Sequence, residues 1–221
     1  ILSNRWMFPV HIGVDFDNTI VSYDELFHRA AVDSGLIPSS LPHRKVSVRS
    51  HLRSQPDGEN QWIRLQSVVY GSRIMEATLC EGFDLFATHC RNQGIRMSVI
   101  SHKLQYPALG PRIDLREAAI RWMRGQGLLA EDGPGLTLPD VFFEPGRPEK
   151  LARILAAGCT HFVDDLPEVL TDPAFPHEVK KILYLPKRAG GEECTPDLPG
   201  VVVCGGWSDI LRVLQEEEPG K

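Results

Sequence analysis

Asp15 and Asp17 stand one residue apart where the apolar run Val10-His11-Ile12-Gly13-Val14 gives out, and Thr19 follows at the same spacing. Side chains alternate in extended backbone, so both carboxylates would point the same way. Two anions so close repel, and one would keep its proton unless a cation or a donor sits between them. A hard divalent ion such as Mg²⁺, which takes oxygen ligands, would resolve the conflict. The plainer alternative is a strand followed by a solvated turn, with Asp17 or Asn18 bonding its own backbone.

A second pair, Asp164-Asp165, closes the short apolar run His161-Phe162-Val163. Adjacent aspartates at a strand end are hard to justify as packing, because charges are seldom buried unpaired. Between the two pairs, Met97-Ser98-Val99-Ile100 ends in Ser101-His102-Lys103, a hydroxyl and a cation. Lys150 opens an amphipathic stretch over 150–157 that leads into the Asp164 strand. Taken singly, Ser101 reads as a cap or turn residue and Lys150 as a solvated helix residue. Their order gives them weight, since four sites at the carboxyl ends of successive strands would converge on the edge where open α/β sheets bind ligands.

That order, Asp-x-Asp-x-Thr, then Ser, then Lys, then Asp-Asp, resembles the four-motif signature of the haloacid dehalogenase superfamily, over most of the chain outside 19–79. The resemblance implies that Asp15 is a nucleophile forming an aspartyl-phosphate. It implies that Asp17 is the general acid and then the general base. Ser101 would bond a phosphoryl oxygen, Lys150 would hold nucleophile and phosphate by charge, and Thr19 would position the loop or Asp17. Mg²⁺ would be bound or oriented by Asp164 and Asp165, with Asp15 and the Asp17 main-chain carbonyl completing the protein ligands. The N–H groups of Phe16 and His102 are candidate phosphate contacts. The second carboxylate, Asp17, favours phosphoryl transfer over the dehalogenase branch, which lacks it. Where many relatives carry Gly-Asp, this chain has Asp164-Asp165 after Val163; both are kept as ligands, and if only one binds directly, alignment with that pair favours Asp165, with Asp164 supporting it.

These sites need elements to carry them. Strands are predicted over 10–15, 95–101, 140–143, 161–164 and 181–185, with 201–204 as a sixth. Helices are predicted over 82–93, 115–125, 148–157 and 208–215, the last with Ser208 as its N-cap. The alternation calls for an α/β, Rossmann-like, doubly wound parallel sheet covered on both faces. The interval 20–79 breaks this rhythm. Leu26, Phe27, Ala30 and Ala31, then Trp62, Ile63, Leu65, Val68, Val69 and Ile74, predict helices around a proline-containing break. The expected domains are therefore a core of 1–19 with 80–221 and a predominantly helical insert of 20–79. The resemblance implies that the insert is a cap, which favours a small phosphorylated metabolite as substrate.

Composition narrows the remaining classes. A formal net charge of -5 over 221 residues argues against a general nucleic-acid grip. The basic cluster His43, Arg44, Lys45, Arg49, His51 and Arg53, which Arg64 and Arg73 could join, is either a solvated loop or a surface that attracts an anionic substrate; an oligonucleotide end-processing role would rest on it alone. No apolar run approaches a membrane span, and residues 1–10 lack the pattern of a secretory signal. Five cysteines without a Cys-x-x-Cys pair fit reduced thiols in the cytoplasm. A first residue other than Met suggests a chain that is processed, trimmed or cut from something longer. The expected function is Mg²⁺-dependent hydrolysis of a small phosphomonoester, a sugar phosphate or nucleotide. The alternatives are a phosphotransferase or mutase using the same aspartates, and a non-catalytic binding domain, against which the retained Asp15 argues.

Overall fold

His11–Val14 is buried at every position, as suits a strand inside a parallel sheet with both faces covered. In the computed structural model, which describes residues 9–186 and 197–216, this segment is β1. It is followed by β2 (Val21–Ser22), α1 (Asp24–Asp33), α2 (Lys45–Arg53), α3 (Gly58–Ser67), a π-helical turn (Val68–Ser72) and β3 (Thr78–Leu79). Then come α4 (Phe83–Asn92), β4 (Arg96–His102), α5 (Leu115–Gly125), β5 (Val141–Glu144), α6 (Arg147–Ala156) and β6 (His161–Asp164). The described chain closes with α7 (Pro167–Leu170), β7 (Lys180–Tyr184), β8 (Val201–Cys204) and α8 (Trp207–Glu216).

Two compact units result. The first takes the residues up to Ile20, Cys80–His102 and those from Leu129 onward; the second takes Val21–Leu79 and Lys103–Leu128. In the first, a 6-stranded sheet runs in the order β5-β4-β1-β6-β7-β8, every neighbouring pair parallel and flanked by helices. The chain winds outward from β1 through β4 to β5, then crosses back to β6. The order therefore reverses between β1 and β6, and Val14 lies level with Val99 on one side and Val163 on the other. The residues that follow, Asp15 and Asp164, flank this switch point, where open α/β sheets place their ligands.

On one face, Leu151 and Ile154 of α6 pack with Ile100, Phe162, Leu170 and Leu183. Gly158, at φ 70°, makes the left-handed stop after α6 and aims the chain into β6. Gly13 is needed for close approach, because a Cβ there would lie 2.6 Å from the Phe162 ring and 2.9 Å from Cys159 Sγ.

The second unit is helical, apart from the antiparallel β2–β3 pair. Phe27 stacks on Trp62 at 4.8 Å, and Tyr70 meets both Tyr23 and Phe27 edge-on. The structure adds Lys103–Leu128 to this unit, a segment the sequence pattern had assigned to the core. The reason is the buried stripe of α5, where the Trp122 indole donates to the Ala77 carbonyl at 3.0 Å. A Cβ on Gly71 would come within 3.2 Å of Ile113, so this stretch too lies against the insert. The last helix also begins earlier than expected, at Trp207, which places Ser208 inside its first turn rather than at its cap. No described helix is long and apolar enough to cross a membrane. Cys80, Cys90, Cys159 and Cys204 are buried; Cys194 lies outside the described residues.

Gly13→Ala should lower stability by about 1–3 kcal/mol through overpacking against Phe162. Denaturant unfolding checks this, and an unchanged midpoint would contradict the packing described.

Candidate active site

Asp15 continues the ladder one residue beyond β1, its N–H donating to the Val163 carbonyl at 2.9 Å. This fixes the backbone that carries its carboxylate. Asp164 ends β6 beside it, wholly buried. Lys150 comes from the first turn of α6, where its position on the stripe shared with Leu151 and Ile154 turns it inward. Its Nζ lies 2.6 Å from Asp15 Oδ1 and 2.6 Å from Asp164 Oδ2. The other Asp164 oxygen accepts the Leu166 N–H at 3.0 Å.

Asp15, Asp164 and Asp165 each bring a carboxylate oxygen within 4.8 Å of the others, and Lys150 is one ammonium shared between two of them. Burial opposes the charge on Lys150, but the pull of Asp15 and Asp164 outweighs it and raises its pKa above the ordinary lysine range. Burial pushes the Asp164 carboxyl up to about 6 and the nearby Asp15 adds to this, against the opposing influence of Lys150 and the Leu166 N–H. An all-carboxylate donor set at this spacing fits a hard, oxygen-seeking cation. The Asp17 side chain is not part of this cluster; the resemblance assigns it a main-chain carbonyl ligand instead.

The loop after Asp15 is tightly tied. Phe16 is fully buried and meets Phe143 edge-on at 5.8 Å, and its carbonyl accepts the Ile20 N–H at 3.0 Å. Asn18 adopts φ 61°, a left-handed conformation that asparagine tolerates, and so turns the chain after Asp17. Thr19 is fully buried, and its hydroxyl has no hydrogen-bond partner among the described residues. The expectation that Thr19 holds the loop or Asp17 is therefore not carried by its hydroxyl. Its main chain is held, because the Trp207 indole donates to the Thr19 carbonyl at 3.2 Å.

Ser101 and His102 end β4, level with Phe143 and Glu144 of β5. Ser101 is buried and His102 exposed, so of the two only the serine side chain is enclosed. The structure thus joins Asp15, Lys150, Asp164 and Asp165 in one cluster, with Asp17, Thr19, Ser101 and His102 on segments leaving the same sheet edge. Several members of the basic cluster are engaged within the helical unit. His43 meets Glu25 at 3.0 Å, Arg53 meets Glu59, Arg64 lies 3.6 Å from Asp57, and Arg73 bridges Asp33 and Glu76. Sequence reasoning named Asn18 only within the solvated-turn alternative, and it missed Trp207 as a loop anchor. A tryptophan directly after Gly205-Gly206 at a strand end was the available signal for the second.

No protein-family model and no curated protein matches the sequence. Solved structures do match. Protein Tyrosine Kinase A from Mycobacterium tuberculosis superposes with a TM-score of 0.62 at 15% identity, over 95% of this chain and 99% of its own. A haloacid dehalogenase-like hydrolase from Streptococcus pneumoniae gives 0.60 at 13%, over 94% and 99%. An L-2-haloacid dehalogenase gives 0.54 at 14%, over 94% and 99%. At these identities the likeness establishes the fold.

Replacing Lys150 by Met should cost about 3–5 kcal/mol, because it strands two buried carboxylates. The pH dependence has a definite sign. The Asp164 pKa lies above the ordinary aspartate range, so the folded state binds the proton more tightly, and its contribution to stability is lost as pH rises through the folded value. Removing the ammonium raises that value further. The deficit of Lys150→Met should therefore shrink as pH is lowered from about 8 to about 5, as followed by urea unfolding. A deficit that grows on acidification would contradict this electrostatic account.

Proposed function

We propose that this chain, built on the haloacid dehalogenase fold, is a Mg²⁺-dependent phosphatase that hydrolyses a small phosphomonoester through an aspartyl-phosphate. The observation that carries the reading is the buried Lys150 ammonium shared at 2.6 Å by Asp15 and Asp164, with a further carboxylate, Asp17, two residues beyond the nucleophile. The resemblance reads the helical insert as a cap, which favours a metabolite over a bulky substrate.

In this mechanism an Asp15 carboxylate oxygen attacks phosphorus, and the bond from phosphorus to the substrate oxygen breaks. Asp17 gives its proton to the departing alkoxide. Asp17 then takes a proton from water as the water oxygen attacks the phosphorus of the aspartyl-phosphate, releasing inorganic phosphate and restoring Asp15. Lys150 offsets the negative charge that would otherwise repel the incoming phosphate. The Ser101 hydroxyl and the Phe16 and His102 N–H groups donate to phosphoryl oxygens. Asp15, Asp164, Asp165 and the Asp17 carbonyl would hold Mg²⁺, which when bound supplies positive charge against the phosphoryl oxygens.

Two structural neighbours are named a protein tyrosine kinase and an L-2-haloacid dehalogenase, so the assay is read three ways. A panel of phosphorylated metabolites is scored for inorganic phosphate and for transfer to an added acceptor, and a 2-haloacid for halide release. Phosphate release is expected, with Asp15→Asn abolishing it and Asp17→Asn lowering kcat by about 10²–10⁴. Halide release without phosphate release, or equal rates in the wild type and Asp15→Asn, would overturn the reading.

The ion and the proton should compete at Asp164, whose carboxyl is pushed up to about 6. Added Mg²⁺ should therefore raise the Tm clearly at about pH 8 and much less at about pH 5. An equal rise at both values would contradict the assigned ligands.

A further inference from the structure

We infer that Trp207 is a positioning residue for the loop that carries Asp15 and Asp17; the inference rests on the phosphatase reading for its kinetic consequence and on the fold alone for its structural one. Asp15 is fixed by the β-ladder and by Lys150, Asp17 follows in a bridge of its own, and proton transfer depends on the loop that carries both. The far end of the loop has further anchors. The Ile20 carbonyl accepts the Cys80 N–H at 2.8 Å, and the Trp207 indole N–H donates to the Thr19 carbonyl at 3.2 Å. The Thr19 hydroxyl has no partner among the described residues, so this peptide is held through its main chain.

Trp207 is well placed to give a fixed reference. It is 1% exposed and wedged between Phe83, Phe86 and Tyr184, with ring centroids at 4.9, 4.7 and 5.4 Å. It opens α8, whose start is fastened by the Gly205 N–H donating to Asp209 Oδ2 at 3.0 Å. Phe83 and Phe86 lie on α4, which begins just after the chain returns at Cys80 from the helical unit. The same aromatic group thus braces the loop where the chain leaves the first unit, at Ile20, and the helix where it re-enters. A small displacement of a reacting group can cost about 10²-fold in rate, which gives the anchor its catalytic consequence.

The test compares Trp207→Phe, which keeps an aromatic ring but removes the donor, with Val179→Ala, which loosens the core just before β7 without touching Trp207 or Thr19. Trp207→Phe should lower kcat by about tenfold or more with KM nearly unchanged, whereas Val179→Ala should lower Tm and leave kcat near that of the wild type. Amide hydrogen exchange over residues 16–20, measured without substrate, should quicken in Trp207→Phe and not in Val179→Ala under conditions where both are folded. Equal kcat and equal exchange in Trp207→Phe and the wild type would overturn the inference, as would equal losses in the two variants. If the wild type hydrolyses no phosphomonoester, the functional reading fails while the exchange comparison still decides whether Trp207 holds the loop.

Discussion

The Lys150 ammonium, shut away from water between Asp15 and Asp164, is the interaction on which the rest of the structure depends. A buried charge is tolerated only when paired and hydrogen-bonded, so each of the three residues must be delivered accurately from a different element. The parallel register of β1 with β6 sets the two aspartates side by side, and the crossover from β5 through α6 brings the lysine between them. Gly13 lets Phe162 and Cys159 close against β1 beneath the site. The packing below therefore fixes the spacing of the charges above.

Asp15, Asp164 and Asp165 bring carboxylate oxygens within 4.8 Å of one another, with the Lys150 ammonium bonded to the first two. Burial, with the neighbouring Asp15, raises the Asp164 carboxyl, and an all-carboxylate donor set suits a hard cation. Around this centre the loop from Phe16 to Ile20 is held by backbone bonds, an aromatic contact and the Trp207 indole. Its geometry is thus set by the fold and not by the Thr19 hydroxyl.

Much of this was legible in the sequence because the signals were local. The predicted strand over 161–164 is β6 to the residue, and the predicted helix over 115–125 is α5; apolar runs with acidic ends and amphipathic periodicity announce such elements directly. What α5 packs against was not legible, because its buried stripe fits a sheet or another helix equally well, and only the fold shows the Trp122 indole meeting Ala77. The inward turn of Lys150 could be read from its order among the motifs but not from its helix alone, where a lysine is ordinarily solvated. The contact from Trp207 to Thr19 joins residues 188 positions apart, and no local pattern encodes it.

In the proposed reaction Asp15, held by Lys150, takes the phosphoryl group. The direct test is rapid acid quenching of the protein mixed with Mg²⁺ and a phosphomonoester that it hydrolyses, followed by mass spectrometry of the peptide containing residues 15–19. An acid-stable, base-labile phosphoryl adduct on Asp15 is expected, forming and decaying at rates competent for turnover. Turnover with no adduct on that peptide, or with the phosphoryl group on another residue, would contradict it.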